Sequence, residues 1–150
     1  MAANGMDNVR FLMTANVGEA LKPMSKVASG GELARIMLAI KNVLAEQDQV
    51  GTLIFDEVDA GVSGRAAQKV AEKLRAVSRG KQVLCVTHLP QIAAAADEHL
   101  LIAKSERQGR TYTQVQVLDK EGRKREIARI IGGAEITQTT LKSAEEMLSC

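Results

Sequence analysis

Aromatic residues are scarce in this 150-residue sequence, where they make up 2% of the total, with two Phe, one Tyr and no Trp. Proteins that hold single-stranded nucleic acid stack its bases on aromatic rings, so the composition argues against that class of binding surface. The 45% of hydrophobic residues must therefore build an aliphatic core. A net charge of +2 is too small by itself to indicate a nucleic-acid partner.

Cysteines and long apolar runs are also few. Cys85, inside an apolar run, and Cys150, at the last position, provide no disulfide framework and fit reduced thiols in a cytoplasmic protein. No apolar run approaches the roughly 20 residues of a membrane span. The first residues show no basic segment followed by an apolar one, the pattern of a secretory signal. We expect a soluble cytoplasmic chain without a membrane partner, forming a single lobe over residues 1–150.

The spacing of apolar residues predicts an α/β order of elements. It predicts strands at 9–13, 52–55, 82–87, 100–103 and 111–118, and helices at 32–45, 64–79, 91–96, 121–131 and 139–148. The strands at 52–55 and 82–87 flank a helix, so they should be parallel and covered on both faces. The last two strands should form a hairpin with one solvated face. The expected fold is a mostly parallel sheet flanked by helices, with a C-terminal β-hairpin and two helices.

A Ser-Gly-Gly-Glu sequence precedes the first long helix. Ser29 and Glu32 fit a capping box, in which each side chain accepts a hydrogen bond from the amide of the other residue. That interpretation leaves Gly30 and Gly31 unexplained, because glycine costs up to about 1 kcal/mol relative to alanine within a helix. Two residues without side chains at a helix N-terminus also allow close approach of a phosphate. The four residues alone support both interpretations equally.

Acidic residues and a histidine follow two neighbouring strands. Asp56 and Glu57 end the apolar run at 53–55, and His88 follows the run at 83–87. The carboxyl ends of parallel strands share one sheet edge, where ligands bind in open α/β folds. There, Asp56 could hold Mg²⁺, Glu57 could orient or deprotonate a water, and His88 could donate to a terminal phosphate. Each residue alone is more often structural or simply solvated, but the shared edge favours a nucleotide site.

Together these segments resemble the C-terminal half of an ABC-type ATPase head, which has a P-loop NTPase-like fold. The similar motifs are the signature loop, the Walker B strand, the D-loop aspartate and the switch histidine, at Ser29–Glu32, Leu53–Glu57, Asp59 and His88. Over essentially the whole chain, the sequence resembles the C-terminal part of the RecN family of bacterial DNA-repair proteins. These are relatives of the structural-maintenance-of-chromosomes (SMC) proteins. The most similar segments are 21–39, 52–64, 86–91 and 131–137.

The resemblance implies roles for these residues. Asp56 would bind Mg²⁺, Glu57 would be the catalytic base, and His88 would contact the γ-phosphate of ATP. The signature residues would bind the ATP of an opposing subunit: Ser29, Gly30, Gly31 and Glu32. The implied function is ATP hydrolysis in recombinational repair of DNA double-strand breaks, in a nucleoid-associated bacterial protein. The implied partners are the protein's own N-terminal half and coiled coil, a second ATPase head, and DNA.

The sequence contains no G-x-x-x-x-G-K-[ST] loop to cradle the β- and γ-phosphates. In RecN-like proteins this Walker A loop lies in an N-terminal half, separated by a coiled coil, so we expect the chain to be the half that follows. Such a lobe should be inactive alone and should expose an apolar face or a sheet edge. Two alternatives stay open, namely the ATPase subunit of a transporter or another SMC-like system, and a non-catalytic interaction module.

Basic residues outnumber acidic ones eight to four between Lys104 and Arg129. Contact with DNA phosphates is conceivable there. A solvated helix face is the interpretation that we favour. The eight are Lys104, Arg107, Arg110, Lys120, Arg123, Lys124, Arg125 and Arg129.

Overall fold

The computed structural model describes residues 5–7, 9–14, 17–26, 29–45, 47, 49–107, 109–133 and 135–149. In these ranges the helices are α1 Gly30–Val43, α2 Gly64–Ser78, α3 Pro90–Ala95, α4 Lys120–Gly132 and α5 Gln138–Leu148. The strands form three pairs: β1 Leu12–Met13 with β2 Lys22–Pro23, β3 Thr52–Phe55 with β4 Gln82–Cys85, and β5 Leu100–Arg107 with β6 Arg110–Val117. A short 3-10 helix at Met24–Lys26 follows β2.

The centre of the lobe is the β3–α2–β4 unit. Strands β3 and β4 are parallel, with Thr52 opposite Gln82 and Phe55 opposite Cys85, as the sequence predicts. Helix α2 packs on this pair because its apolar residues recur every three or four positions and so share one face. The buried core joins that face to side chains of α1, β3, the following loop and α3: Leu38, Leu53, Phe55, Val58, Val70, Ala71, Leu74, Val77 and Ile92.

The opposite face of the β3–β4 pair is exposed. The side chain of Ile54 is 71% exposed and that of Leu84 is 42% exposed, and Val86, just beyond β4, is exposed as well. The expectation that both faces are covered is therefore wrong for this chain. The expectation arose because the strands carry apolar residues on both faces, the pattern of strands that are buried on both sides. Among the described residues, α2 and its neighbours cover only the face that bears Leu53 and Phe55.

Strands β5 and β6 form an antiparallel hairpin from Leu100 opposite Val117 to Arg107 opposite Arg110. The hairpin is confirmed, but the expected burial of one face is wrong, since every residue of β6 is exposed. Directly opposed residues share a face of a sheet. The hairpin thus presents an exposed apolar patch made of Leu100, Ile102, Val115 and Val117.

Helices α3, α4 and α5 form a second small core around Ala93, Ile127, Ala128 and Ala144. The Arg123 guanidinium on α4 donates to the carbonyls of Ala94, Ala96 and Asp97 at the end of α3. The bond to Ala94 satisfies a carbonyl that the C-terminus of α3 leaves without a partner, and the other two bonds hold the segment that follows the helix.

Two more of the eight basic residues pair with acids of the chain. Lys124 lies 2.7 Å from Glu145, and Arg129 lies 2.7 Å from Glu126. Part of the basic segment therefore has a structural role. Within the described residues, no helix has the length and apolar character needed to cross a membrane.

Candidate functional site

Helix α1 begins with the capping box that the sequence predicts. Ser29 Oγ accepts from the Glu32 amide at 3.3 Å, and Glu32 Oε2 accepts from the Ser29 amide at 2.8 Å. The bond from the Ser29 amide, together with the Ser29 hydroxyl, lowers the pKa of the Glu32 carboxyl. Ser29 and Glu32 thus have a local role in starting α1, whatever else they contact.

The two glycines bring α1 against the loop after β3. A Cβ atom on Gly31, which is buried, would lie 2.8 Å from both the Cβ and the carbonyl oxygen of Ala60. A Cβ atom on Gly30 would lie 2.6 Å from Glu57 Oε2. Both distances are shorter than any normal contact. At Gly31 the neighbour is backbone, so the close approach of α1 to the loop depends on glycine, whereas at Gly30 the neighbour is the movable end of the Glu57 side chain. The sequence suggested a phosphate as the reason for the pair, and the chain itself supplies a reason for Gly31.

Arg35, one turn after Gly31, fastens this loop to α1. Its Nη1 atom donates to the carbonyls of Ala60 at 2.7 Å and Val58 at 3.2 Å. Gly31 and Arg35 are four residues apart and therefore lie on the same face of the helix. Sequence reasoning missed Arg35, although a basic residue at this spacing from the buried glycine was the available signal.

Glu57 adopts a left-handed backbone conformation, with φ of +57°. For a residue other than glycine, such a conformation costs on the order of 1–3 kcal/mol and is concentrated at functional sites. Its carbonyl accepts from the Ala60 amide at 3.0 Å, which closes a turn directly after β3. Asp56 and Glu57 are both exposed. The turn therefore presents two carboxylates at the end of the strand.

Asp59, in contrast, is 3% exposed and fully engaged. Its Oδ2 atom accepts from Thr87 Oγ1 at 2.6 Å and from the His88 amide at 2.9 Å. The Nδ1 atom of the His88 ring lies 3.0 Å from the same oxygen. Burial alone would raise the pKa of Asp59, but the hydrogen bonds from Thr87 and His88 outweigh it and lower the pKa. A buried ionised carboxylate thus joins the loop after β3 to the segment after β4.

The His88 side chain is 74% exposed, although its Nδ1 atom faces Asp59. Phe55 also accepts from the Val86 amide at 3.0 Å, which continues the pairing beyond β4. The structure therefore brings Gly30, Glu57, Asp59 and His88 to one sheet edge. Asp56 lies at the same edge, and Ser29 and Glu32 lie at the adjoining start of α1.

An open groove of about 380 Å³ runs beside this edge, between α1 and β3. Its lining is mostly apolar, with Asp56 among the lining residues. Its other lining residues include Leu33, Met37 and Ile54, which are themselves exposed. An aliphatic groove of this kind suits packed side chains better than phosphates. Nearby, burial raises the pKa of the Cys85 thiol to about 11, which makes it unreactive.

One residue at the sheet edge, Asp56, fits a ligand position of a Mg²⁺ ion that is shared with a nucleotide. Among the described residues, no three His, Cys, Asp or Glu side chains cluster in a way that could hold a metal. Asp56 is an exposed carboxylate at the end of β3. Mg²⁺ is commonly bound by one or two carboxylates together with the phosphates of a substrate. Asp56 is therefore suited to hold the ion jointly with a nucleotide.

Known proteins with related sequences match almost the whole chain. The chain is 55% identical to the DNA repair protein RecN of Bacillus subtilis over 148 residues, 99% of the chain and 26% of that protein. It is 49% identical to RecN of Treponema pallidum over 144 residues, 96% of the chain and 25% of that protein. The chain is thus similar over almost its whole length to RecN proteins. It corresponds to a C-terminal part of RecN and spans about a quarter of the length of these relatives. No protein-family model matches it.

Two solved structures share the fold of this lobe. One comes from work on ATP-driven dimerization and DNA-stimulated activation of SMC ATPases, with a TM-score of 0.53, 24% identity, and coverage of 79% of this chain and 70% of that one. The other is an Smc head domain with a coiled coil and joint from Pyrococcus yayanosii, with a TM-score of 0.54, 26% identity, and coverage of 86% and 21%. The expected ATPase-head fold is thereby confirmed.

Proposed function

We propose that this chain is the C-terminal lobe of the ATPase head of a longer RecN-type protein. In that protein, it would contribute to ATP hydrolysis during the repair of DNA double-strand breaks in the bacterial cytoplasm. The curated relatives that carry this lobe are DNA repair proteins, and the similar folds belong to SMC ATPase heads. The ATP, the Mg²⁺ and the DNA are parts of this proposal.

The observation that carries the proposal is the shared edge of the β3–β4 pair. The parallel register ends β3 and β4 together, so Asp56, Glu57 and His88 follow the two strands at one sheet edge. The start of α1 reaches the same place, since Gly30 lies against the Glu57 carboxylate. These are groups that suit phosphate chemistry: a carboxylate to bind a metal, a second carboxylate to orient a water, an imidazole, and a helix N-terminus.

Each group has a role in the proposed reaction. Asp56 would hold Mg²⁺, which neutralises charge on the phosphates when bound. Glu57 would orient and deprotonate the attacking water, and His88 would contact the γ-phosphate. The signature residues would bind the nucleotide of an opposing head: Ser29, Gly30, Gly31 and Glu32. Hydrolysis would then depend on dimerisation of heads, because the stabilising groups come from both.

The exposed apolar surfaces support a partner from the longer protein. The groove and the open face with Ile54 and Leu84 present contiguous aliphatic side chains to solvent. Surfaces of this kind mark interaction sites. We assign them to the N-terminal half of the same head, the half expected to carry the Walker A loop.

The test uses a RecN protein whose C-terminal part is this chain. Glu57→Gln should abolish ATP turnover while ATP-dependent dimers persist, because the amide keeps the shape of the carboxylate but cannot take a proton. Asp97→Asn, at an exposed carboxylate in the described part of the chain, is the matched control and should leave turnover unchanged. Unchanged turnover in Glu57→Gln would instead indicate a non-catalytic interaction module.

A further inference from the structure

The turn that carries Glu57 is held from α1 by a short chain of hydrogen bonds. The carbonyl of Glu57 accepts from the Ala60 amide at 3.0 Å, and the carbonyl of Ala60 accepts from Arg35 Nη1 at 2.7 Å. The same Nη1 atom donates to the Val58 carbonyl at 3.2 Å. A single nitrogen of α1 therefore binds two carbonyls of this turn, those of the residues on either side of Asp59.

The position of the Arg35 guanidinium depends on the buried glycine one turn earlier. A Cβ atom on Gly31 would lie 3.1 Å from Arg35 Nη1, and 2.8 Å from both the Cβ and the carbonyl oxygen of Ala60. A side chain on Gly31 would therefore collide with both partners of the bond between Arg35 and Ala60. The glycine opens the space in which the guanidinium reaches the turn.

The contacts on the two sides of the turn enforce an unfavourable backbone conformation at Glu57. A φ of +57° is unfavourable for a residue other than glycine and persists only where the surrounding structure fixes it. On one side, Asp59 ties the turn to the segment after β4, through bonds from Thr87 Oγ1 and the His88 amide. Arg35 is the corresponding tie on the side of α1. Because the Glu57 side chain is exposed, the backbone of the turn decides where its carboxylate lies.

We propose that Arg35 is a positioning residue that keeps Glu57 left-handed and thereby directs the Glu57 carboxylate to the sheet edge beside Gly30. Without the guanidinium, Ala60 is released and its bond to the Glu57 carbonyl loosens. Glu57 then relaxes to an ordinary backbone conformation, and its carboxylate leaves the start of α1. The consequence for catalysis rests on the proposed function, whereas the effect on the backbone does not.

The backbone of Glu57 can be observed by NMR in the chain itself. In a residue with positive φ, the amide and α protons lie closer together than in an ordinary helix or strand, so the nuclear Overhauser effect between them is strong. We expect a strong effect at Glu57 in the unaltered chain. It should weaken in Arg35→Met, which keeps an unbranched side chain but removes every donor. Arg75→Met, at an exposed arginine on α2, is the matched control and should leave the effect unchanged.

Arg35→Lys is a milder second variant. Its ammonium keeps the charge and several donors but ends one bond short of the Nη1 position, so it should weaken the effect at Glu57 less than Arg35→Met does. A weak effect in the unaltered chain would overturn the proposal, and so would a full-strength effect in a folded Arg35→Met variant. If Arg35→Met does not fold, a full-strength effect in Arg35→Lys would overturn it instead.

The consequence for catalysis is measured in a RecN protein whose C-terminal part is this chain. Arg35→Met should lower kcat by up to about 100-fold, because a misplaced catalytic group can cost that much, and Arg35→Lys should restore part of the rate. The KM for ATP and the ATP-dependent dimers should change little, since Ser29 and Glu32 keep their capping box, whereas a general loss of folding would impair both.

The kinetic outcomes separate this role from the proposed function. An unchanged kcat in Arg35→Met, in a protein whose turnover Glu57→Gln abolishes, would overturn the positioning role alone. If Glu57→Gln leaves turnover unchanged, the proposed function fails, and the NMR result at Glu57 still decides whether Arg35 holds the turn.

Discussion

The edge of the β3–β4 pair has a closed side and an open side. The closed side consists of groups that are satisfied within the chain: Gly31, Arg35, Asp59 and Thr87. The open side consists of groups presented to solvent: Gly30, Asp56, Glu57 and the His88 ring. The chain thus uses its own contacts to position the site and leaves the groups suited to chemistry uncovered. On our proposal, those groups are completed by surfaces outside this chain.

The two faces of the strand pair repeat this contrast. Leu53 and Phe55 are buried against the core, whereas Ile54 between them is exposed. Alternate residues of a strand point to opposite faces, so one strand can be buried on one face and exposed on the other. We expect substitutions in the closed parts to lower the free energy of unfolding more than substitutions in the open parts.

The largest expected effect compares neighbouring residues of β3. Phe55→Ala should lower the free energy of unfolding by about 3–5 kcal/mol, because it removes a large buried side chain and leaves a cavity. Ile54→Ala should lower it by less than about 1 kcal/mol, because that side chain is already exposed. Urea denaturation of both variants measures the difference. Similar losses would show that the open face is covered when the isolated chain folds.

The second comparison uses two carboxylates of one loop. Asp59→Ala should destabilise the chain by about 3 kcal/mol, since it leaves the Thr87 hydroxyl and the His88 amide without their buried acceptor. Asp56→Ala should change stability by no more than about 0.5 kcal/mol, because Asp56 is exposed. Thermal unfolding is the measurement. An equal effect of the two substitutions would contradict the division into closed and open sides.

The adjacent glycines provide the third comparison. Gly31→Ala should destabilise the chain by about 2 kcal/mol, because the new methyl group meets the backbone and Cβ of Ala60. Gly30→Ala should be nearly neutral for stability, since the methyl group meets the movable end of the Glu57 side chain. Chemical denaturation distinguishes them. If Gly30→Ala proves the more damaging, the Glu57 carboxylate is held more firmly than its exposure indicates.

The smallest expected effect depends on pH. The pKa of Asp59 is lowered in the folded chain, so the ionised group contributes stability above its ordinary pKa of about 3.9, and loses that contribution as the pH falls through the folded value. The stability gap between the unaltered chain and Asp59→Asn should therefore be constant near neutral pH and shrink below about pH 4. Urea denaturation across this range measures the gap. A gap independent of pH would show that the pKa of Asp59 is not lowered in the folded chain.

Most of the element order could be predicted from the sequence, because α2 and β3 have strong apolar periodicity and clear boundaries. The capping box was also readable, since it depends on residues three apart. The elements that cover the strands could not be predicted. Apolar residues on both faces indicate that both faces suit burial, but they do not show which elements cover them. The exposed face of β3–β4 and the fully exposed β6 follow from tertiary packing.

The position of the site residues at one sheet edge could be predicted, but the contacts among them could not. Parallel strands imply that Asp56, Glu57 and His88 share an edge, and the structure places them there. The bond from His88 to Asp59 and the bonds of Arg35 join residues 23 to 29 positions apart, so no local pattern reveals them. The catalytic and binding roles of these residues remain predictions.

The most direct test of the central claim measures ATP hydrolysis by this chain alone and by a RecN protein that carries it as its C-terminal part. We expect no turnover by the purified chain, and turnover by the longer protein that Glu57→Gln abolishes. Turnover by the chain alone that is lost in its own Glu57→Gln variant would contradict the claim that the open side needs surfaces from outside this chain.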